Sequence, residues 1–212
     1  MLLPVKPART AHLSPNTLDI RLLAQSVAAW YAFSLTSIFL KIFMCGSELH
    51  ALPETVQKVA AFLQQAGHTH SAQMLDGAAR TAQEAADQLG ILVGQVAKSI
   101  IFKRRSDGVA VLVVASGDKR VDEKKVAALV GPIGRADAEF VKTSTGFSIG
   151  GVSPVAHAQK PVVLIDEQLQ RFDIVWAAAG HPHAVFAATP AELKNLTAAP
   201  WAEVAMSEQV AV

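Results

Sequence analysis

Cysteine is nearly missing: Cys45 is the only one in 212 residues. A single thiol leaves no internal disulfide framework and no cysteine-cluster metal site, and it fits a reducing cytoplasm. Charge is sparse and balanced, with Lys plus Arg at 19, Asp plus Glu at 18 and a formal net charge of +1. No global field therefore announces a nucleic-acid binder, and any such contact has to come from a local patch. There is no internal repeat, no low-complexity linker and no apolar run reaching the ~20 residues that span a bilayer. Apolar side chains are what is plentiful: 51% hydrophobic against 17% charged, with a mean hydropathy of +0.30. That suffices for one domain with a real core plus some extra segment.

The extra segment is at the front. Residues 1–25 mix Pro, Ser, Thr and Asn with scattered Arg and Lys, and Val27 to Phe43 is then almost wholly apolar. Arg9 and Arg21 resemble the charged region of a signal peptide, but no small-x-small cleavage site follows. Cys45 sits where a lipoprotein cysteine would, yet Met44 precedes it where a small residue belongs. The preferred reading takes Met44 as the natural start, since everything after it reads as a complete soluble domain. An amphipathic or membrane-associated helix is the alternative. Residues 1–46 are thus set apart as an extension and 47–212 as the domain.

Within that domain, Pro53 to Ala66 places Val56, Val59, Ala60 and Leu63 on one helical face, with Gly67 as stop. Thr81-Ala82-Gln83-Glu84 forms a capping box before a helix that ends at Gly90. Ala97–Arg104 and Val109–Ala115 are strand-like around a Ser106-Asp107-Gly108 turn. Helices are expected over Asp122–Val130 and Asp137–Thr145. Strands are expected at Phe147–Ile149, Pro161–Ile165, Ile174–Ala178 and Ala184–Ala187. Thr189-Pro190-Ala191-Glu192 opens a last helix. Short strands interleaved with short helices, without regular βαβ spacing, argue for a mixed α+β fold.

The chemistry gathers around Gly146 to Pro154. Gly150-Gly151 strips side chains from one piece of backbone, so main-chain donors there suit a phosphate or an oxyanion; a tight turn between strands is the other reading. Gly151-Val152-Ser153-Pro154-Val155 narrowly misses a nucleophile elbow, because Pro154 forbids the usual turn. Ser153 is therefore a hydrogen-bonding group rather than an acylated nucleophile. Lys98, at a strand entrance, holds a phosphate, polarises a carbonyl or is simply solvated. In Gly180-His181-Pro182-His183, His181 orients a water or binds ligand, or the histidines are structural. No carboxylate or cysteine partner accompanies that His-x-His pair, or the one at His68 and His70, so no metal is assigned. The basic clusters Lys103-Arg104-Arg105, Lys119-Arg120 and Lys124-Lys125 either follow a nucleic-acid backbone or serve solubility.

Three motifs in order, Thr81-x-x-Glu84-Ala85-Ala86-x-x-Leu89-Gly90, Ala97-Lys98-Ser99 and Thr145-Gly146-Phe147-x-x-Gly150-Gly151-Val152-Ser153-Pro154, resemble the YbaK/EbsC family. These are aminoacyl-tRNA deacylases related to the editing domain of bacterial prolyl-tRNA synthetase. The likeness covers roughly residues 50 to 205, and Asp118 and Arg120 fit the usual loop after the second strand. It implies a mixed, largely antiparallel, barrel-like sheet surrounded by helices. It also implies a cytoplasmic trans-editing hydrolase acting on mischarged aminoacyl-tRNA, without cofactor or DNA, with an aminoacyl-tRNA synthetase as a further partner. Lys98, Gly150, Gly151 and Ser153 would carry the reaction. Thr81, Asp118, Arg120, Phe147, Pro154, Gly180 and His181 would frame the substrate. Where many relatives have glycine this chain has Ala156, a methyl that narrows or stiffens the loop. Hydrolysis of an activated ester needs a placed water and a stabilised oxyanion, so neither a metal nor a covalent intermediate is required, and the tRNA 2′-hydroxyl helps to activate water. A non-catalytic module for RNA ends or aminoacyl groups, and a hydrolase of another activated ester, are the competing readings.

Overall fold

Strand β3 (Ala110–Ser116) is buried at every position, and its sequence Ala-Val-Leu-Val-Val-Ala-Ser has no polar alternation. A strand reads this way when both faces of its sheet are covered. One face carries Leu112 and Val114 into a core with Val56, Val59 and Leu63 from helix α1 (Glu54–Gln65). The other carries Val111, Val113 and Ala115 into a smaller core with Val126 from helix α3 (Glu123–Val130). This computed structural model describes residues 52–77, 79 and 81–207. Val27–Phe43 and Cys45, on which the expectations about an anchor or a late start rest, lie outside those residues. Among the described residues no helix is long and apolar enough to cross a membrane.

The sheet has eight strands in the order β1 (Gln73–Met74), β7 (Ala184–Ala188), β6 (Val175–Ala178), β2 (Val96–Arg104), β3, β5 (Val162–Asp166), β8 (Trp201–Ala202), with β4 (Ile133–Arg135) also pairing with β2. Four pairings are antiparallel (β1–β7, β7–β6, β2–β3, β2–β4) and three are parallel (β6–β2, β3–β5, β5–β8), so the sheet is mixed and mostly antiparallel. The β2–β3 hairpin turns where Ser106-Asp107-Gly108 predicts; there Asp107 holds Arg104 at 2.6 Å and accepts the Val109 N–H at 3.1 Å.

Helix starts follow their caps. Thr81 Oγ1 accepts from Glu84 N–H ahead of α2 (Ala82–Leu89), and Asp122 accepts from the first turn of α3. Asp137 accepts from Phe140 N–H ahead of α4 (Ala138–Thr145), and Thr189 and Glu192 form a reciprocal box ahead of α5 (Pro190–Thr197). One expected strand does not form. Phe147–Ile149 follows Gly146, whose φ of +82° ends α4, and the chain bends instead of extending. Phe147 then drops fully into the larger core while Ile149 is left exposed. Strands β1, β4 and β8 were not anticipated, because two or three residues are too few to show a period.

Candidate functional site: a window in strand β2

On the side of β2 away from β3, two short partners leave a window. β6 pairs only with Val96 and Ala97, and β4 only with Phe102 to Arg104. Two cavities flank the open stretch between them, and Lys98 and Ile100 line both. The smaller, about 260 Å³, is walled by six alanines (Ala79, Ala82, Ala85, Ala97, Ala178 and Ala184) together with larger apolar side chains, among them Leu89, Val152, Trp176 and Val185. Thr81, Ser99, Gly150 and His181 also reach it. The larger, about 560 Å³, gathers Lys98, Arg120 and Arg135 against one carboxylate, Glu123. Neither arginine has a salt-bridge partner among the described residues.

Lys98 is half-buried and held from one side. Its Nζ donates to Gly117 O at 3.2 Å and to Lys119 O. Burial pushes its pKa below the ordinary lysine value; Asp118 and Asp166 pull the other way, and Arg120 adds to the lowering. The loop supplying those carbonyls is itself braced. Arg171 donates to both Asp118 oxygens, at 2.9 and 3.1 Å, and to Ser116 Oγ at 3.0 Å. Ser116 N–H donates to the fully buried Asp166 at 3.2 Å. A Cβ on Gly117 would stand 2.2 Å from Val93 O, so only glycine fits there. Burial pushes the Asp118 carboxyl up, but the hydrogen bonds from Arg171 and Ser116 outweigh it and hold the group below its ordinary value. Asp118 thus acts through the loop, whereas Arg120 faces the larger cavity directly.

The glycine loop is placed differently from its expectation as a row of free donors. Gly150 lines the smaller cavity, but Gly151 N–H is already donated to Ser148 O at 3.0 Å. A Cβ on Gly151 would meet the His181 backbone at 2.7 Å, so this glycine is needed where two loops press together. Ser153 is fully buried; its Oγ accepts from Val155 N–H at 3.3 Å, its carbonyl accepts from His157 Nε2 at 2.8 Å, and it lines neither cavity. Burial lowers the His157 pKa, opposed by that hydrogen bond and assisted by Lys58. Pro154 is buried beside Ser153 and also away from both cavities.

Phe147 lies beneath the site rather than in it, with the ring within 3.0 Å of where a Gly180 Cβ would be. Gly180 has φ +90° and abuts Thr55 O. His181 reaches the smaller cavity, and its Nδ1 accepts from His183 N–H at 3.2 Å. Ala156 sits at φ +61°, the left-handed region where glycine is at ease, which gives the departure at that position a physical meaning. His68 is structural, with Nε2 donating to Ala187 O at 2.8 Å and its ring edge-on to Phe186. Among the described residues no three His, Cys, Asp or Glu side chains converge as a metal cage would require. The alanine wall, Arg135 and the Arg171 brace were not singled out in the sequence; single alanines and arginines carry no local signal of a shared cavity.

The family model for the aminoacyl-tRNA editing domain matches residues 76–196. The chain belongs to the aminoacyl-tRNA editing domain family. Among the relatives of this editing domain, the uncharacterised Bacillus subtilis protein YwhH is 36% identical over 118 residues, spanning 55% of this chain and 74% of that one. EbsC of Enterococcus faecalis, described as a candidate Cys-tRNA(Pro)/Cys-tRNA(Cys) deacylase, is 25% identical over 130 residues, 60% of this chain and 79% of its own. A crystal structure described as a candidate trans-editing enzyme for prolyl-tRNA synthetase superposes with a TM-score of 0.70 at 40% identity, covering 74% of this chain and 99% of that one. The matched stretch contains the β2 window, both cavities and the glycine loop.

Proposed function

We propose that residues 47–212 form a trans-editing deacylase that hydrolyses the ester of a mischarged aminoacyl-tRNA. One observation carries the reading: Lys98 stands between a small alanine-walled cavity and a larger one bearing Arg120 and Arg135. A small amino-acid side chain suits the first, and the phosphates of an RNA 3′ end suit the second. Lys98 joins the two ends of such a substrate, its ammonium fixed by the Gly117 and Lys119 carbonyls.

In the reaction a water adds to the ester carbonyl carbon, and the bond from that carbon to the terminal ribose oxygen then breaks. The ribose oxygen takes up a proton, leaving a free amino acid and an uncharged tRNA. The substrate 2′-hydroxyl assists the water, with no metal and no acyl-enzyme. Gly150, Thr81 and His181 wall the acyl group, while Gly151, Ser153, Pro154, Phe147 and Gly180 keep that wall in shape. The names of EbsC and of the superposed structure make tRNA(Pro) the first tRNA to try.

The test is a deacylation screen across tRNAs charged with each small amino acid, repeated with Lys98→Ala and with a chelator. Turnover of at least one ester, retained with chelator and lost in the variant, is expected. Binding of these tRNAs without turnover would instead show a non-catalytic module. Turnover of a free aminoacyl-nucleotide ester at the same efficiency would remove tRNA from the reading.

A further inference from the structure

The window in β2 exposes main-chain groups of known direction. Antiparallel strands bond alternate residues to a given neighbour. Arg104 exchanges hydrogen bonds with the β3 side, its N–H donating to Val109 O and its carbonyl accepting from Gly108 N–H. Arg105 N–H points the other way, to Pro132 O just before β4. Counting back in steps of two from Arg105 turns the N–H and C=O of Ser99 into the window. No strand pairs there, since β6 stops at Ala97 and β4 begins at Phe102. Among the described residues neither group makes a main-chain hydrogen bond outside the sheet ladder. Ser99 lines the alanine-walled cavity beside Lys98.

An aminoacyl ester presents nitrogen, α-carbon and carbonyl in the same order as one residue of a strand. In an antiparallel hydrogen-bonded pair, two facing residues each give an N–H and receive one. We propose that the aminoacyl group docks in the β2 window as a one-residue strand, its α-ammonium donating to Ser99 C=O and its ester carbonyl accepting from Ser99 N–H. This rests on the deacylase reading above and deepens it by naming the main-chain groups that read the amine and the carbonyl of the ester.

Two consequences follow from that geometry. Ser99 N–H lies on the oxygen that becomes negative when water adds, so it is the main-chain oxyanion donor. Ser99 C=O reads the ammonium, which N-blocked acyl groups and deamino acids do not offer. The contact is made by backbone and is indifferent to the amino-acid side chain, whose size is left to the alanine wall.

The test uses the full chain and three esters on one tRNA: the amino acid preferred in the screen, its N-acetyl derivative, and its deamino analogue, in which hydrogen replaces the ammonium. Each rate is divided by that ester's spontaneous hydrolysis rate, because an ammonium labilises its own ester. The corrected rate is expected to fall by about 100-fold or more for both modified esters. A deamino analogue cleaved within about threefold of the parent would overturn the docking mode, even if the bulkier N-acetyl ester were refused. As a second readout, 3′-deoxy-3′-aminoacylamino-adenosine, a stable amide of the same shape, should slow hydrogen exchange at Ser99 N–H by about tenfold or more. Unchanged exchange with that probe bound also overturns the mode. If no ester in the screen is cleaved at all, the deacylase reading itself has failed, a different result from cleavage that ignores the amine.

Discussion

Main chain is left bare in two places in this fold, for opposite reasons. Around Gly150 and Gly151 the side chains are missing; along Lys98–Ile101 a neighbouring strand is missing. The glycine loop looks like the better donor site on paper, yet Gly151 has given its N–H to Ser148 and its missing side chain makes room for the His181 backbone. At β2 every residue has a side chain, and still the alternation of the ladder turns the Ser99 N–H and C=O into the gap between β6 and β4. Glycine shows where backbone can be approached, not what approaches it. A break in sheet pairing shows where polar groups are available.

That contrast sets an order of effects. The largest is expected at Lys98. Lys98→Ala should lower kcat/KM for the preferred ester by about 100-fold or more, the scale for losing a fixed group that positions the substrate. Folding should hardly change, because at neutral pH a buried ammonium costs about as much as its carbonyl bonds return. The sign of its pH dependence follows from the lowered pKa. The unfolded chain binds the proton more tightly, so the stability of the natural protein relative to Lys98→Met should rise as pH climbs toward 10.5. Urea denaturation of both at several alkaline pH values reads this directly.

Next comes Gly151→Ala, which forces a methyl onto the His181 backbone. A loss of about 2 kcal/mol or more in stability is expected, seen as a lower urea midpoint. Gly150→Ala meets only Pro182, at 3.7 Å, and suffers from its φ of +91° alone, so it should cost less, about 1 kcal/mol. Equal losses would mean the two loops do not press together as described.

Ala156→Gly should act in the opposite direction. Releasing a non-glycine residue from φ +61° is expected to stabilise by up to about 1 kcal/mol, offset in part by the greater entropy of glycine in the unfolded chain. Arg171→Ala should cost about 1 kcal/mol near neutral pH, since its pair with Asp118 is partly exposed. The Asp118 carboxyl is held below its ordinary value of 3.8, so this contribution is present above that pH and disappears as pH falls through the lowered value. Below it, natural protein and variant should converge in melting temperature. Smallest of all is Ser99→Ala. The Ser99 hydroxyl is buried without a partner, and removing it should leave the melting temperature unchanged or slightly raised.

Helices were legible in the sequence wherever a side chain closes their first turn, as at Thr81, Asp122, Asp137 and Thr189. Strands were legible where apolar residues follow one another over three or more positions, as in β3, β5, β6 and β7. Phe147–Ile149 failed because apolar–polar–apolar alternation between glycines satisfies a strand pattern while the glycines bend the chain. Of the candidate site, Lys98, Gly150, Thr81, Arg120 and His181 do reach the cavities. Ser153 does not, because its hydroxyl is turned to its own backbone. Ser99 escaped notice as a site residue for a simpler reason: what it offers is main chain, and main chain has no letter.

The shortness of the β2 opening has a further effect. An exposed strand edge normally invites other chains to add on, the first step toward aggregation. Here the edge is clamped at one end by β6 and at the other by β4, with only Lys98 to Ile101 between. A foreign strand needs a longer run of pairings to gain a foothold, so it is turned away. A ligand the length of a single residue is not.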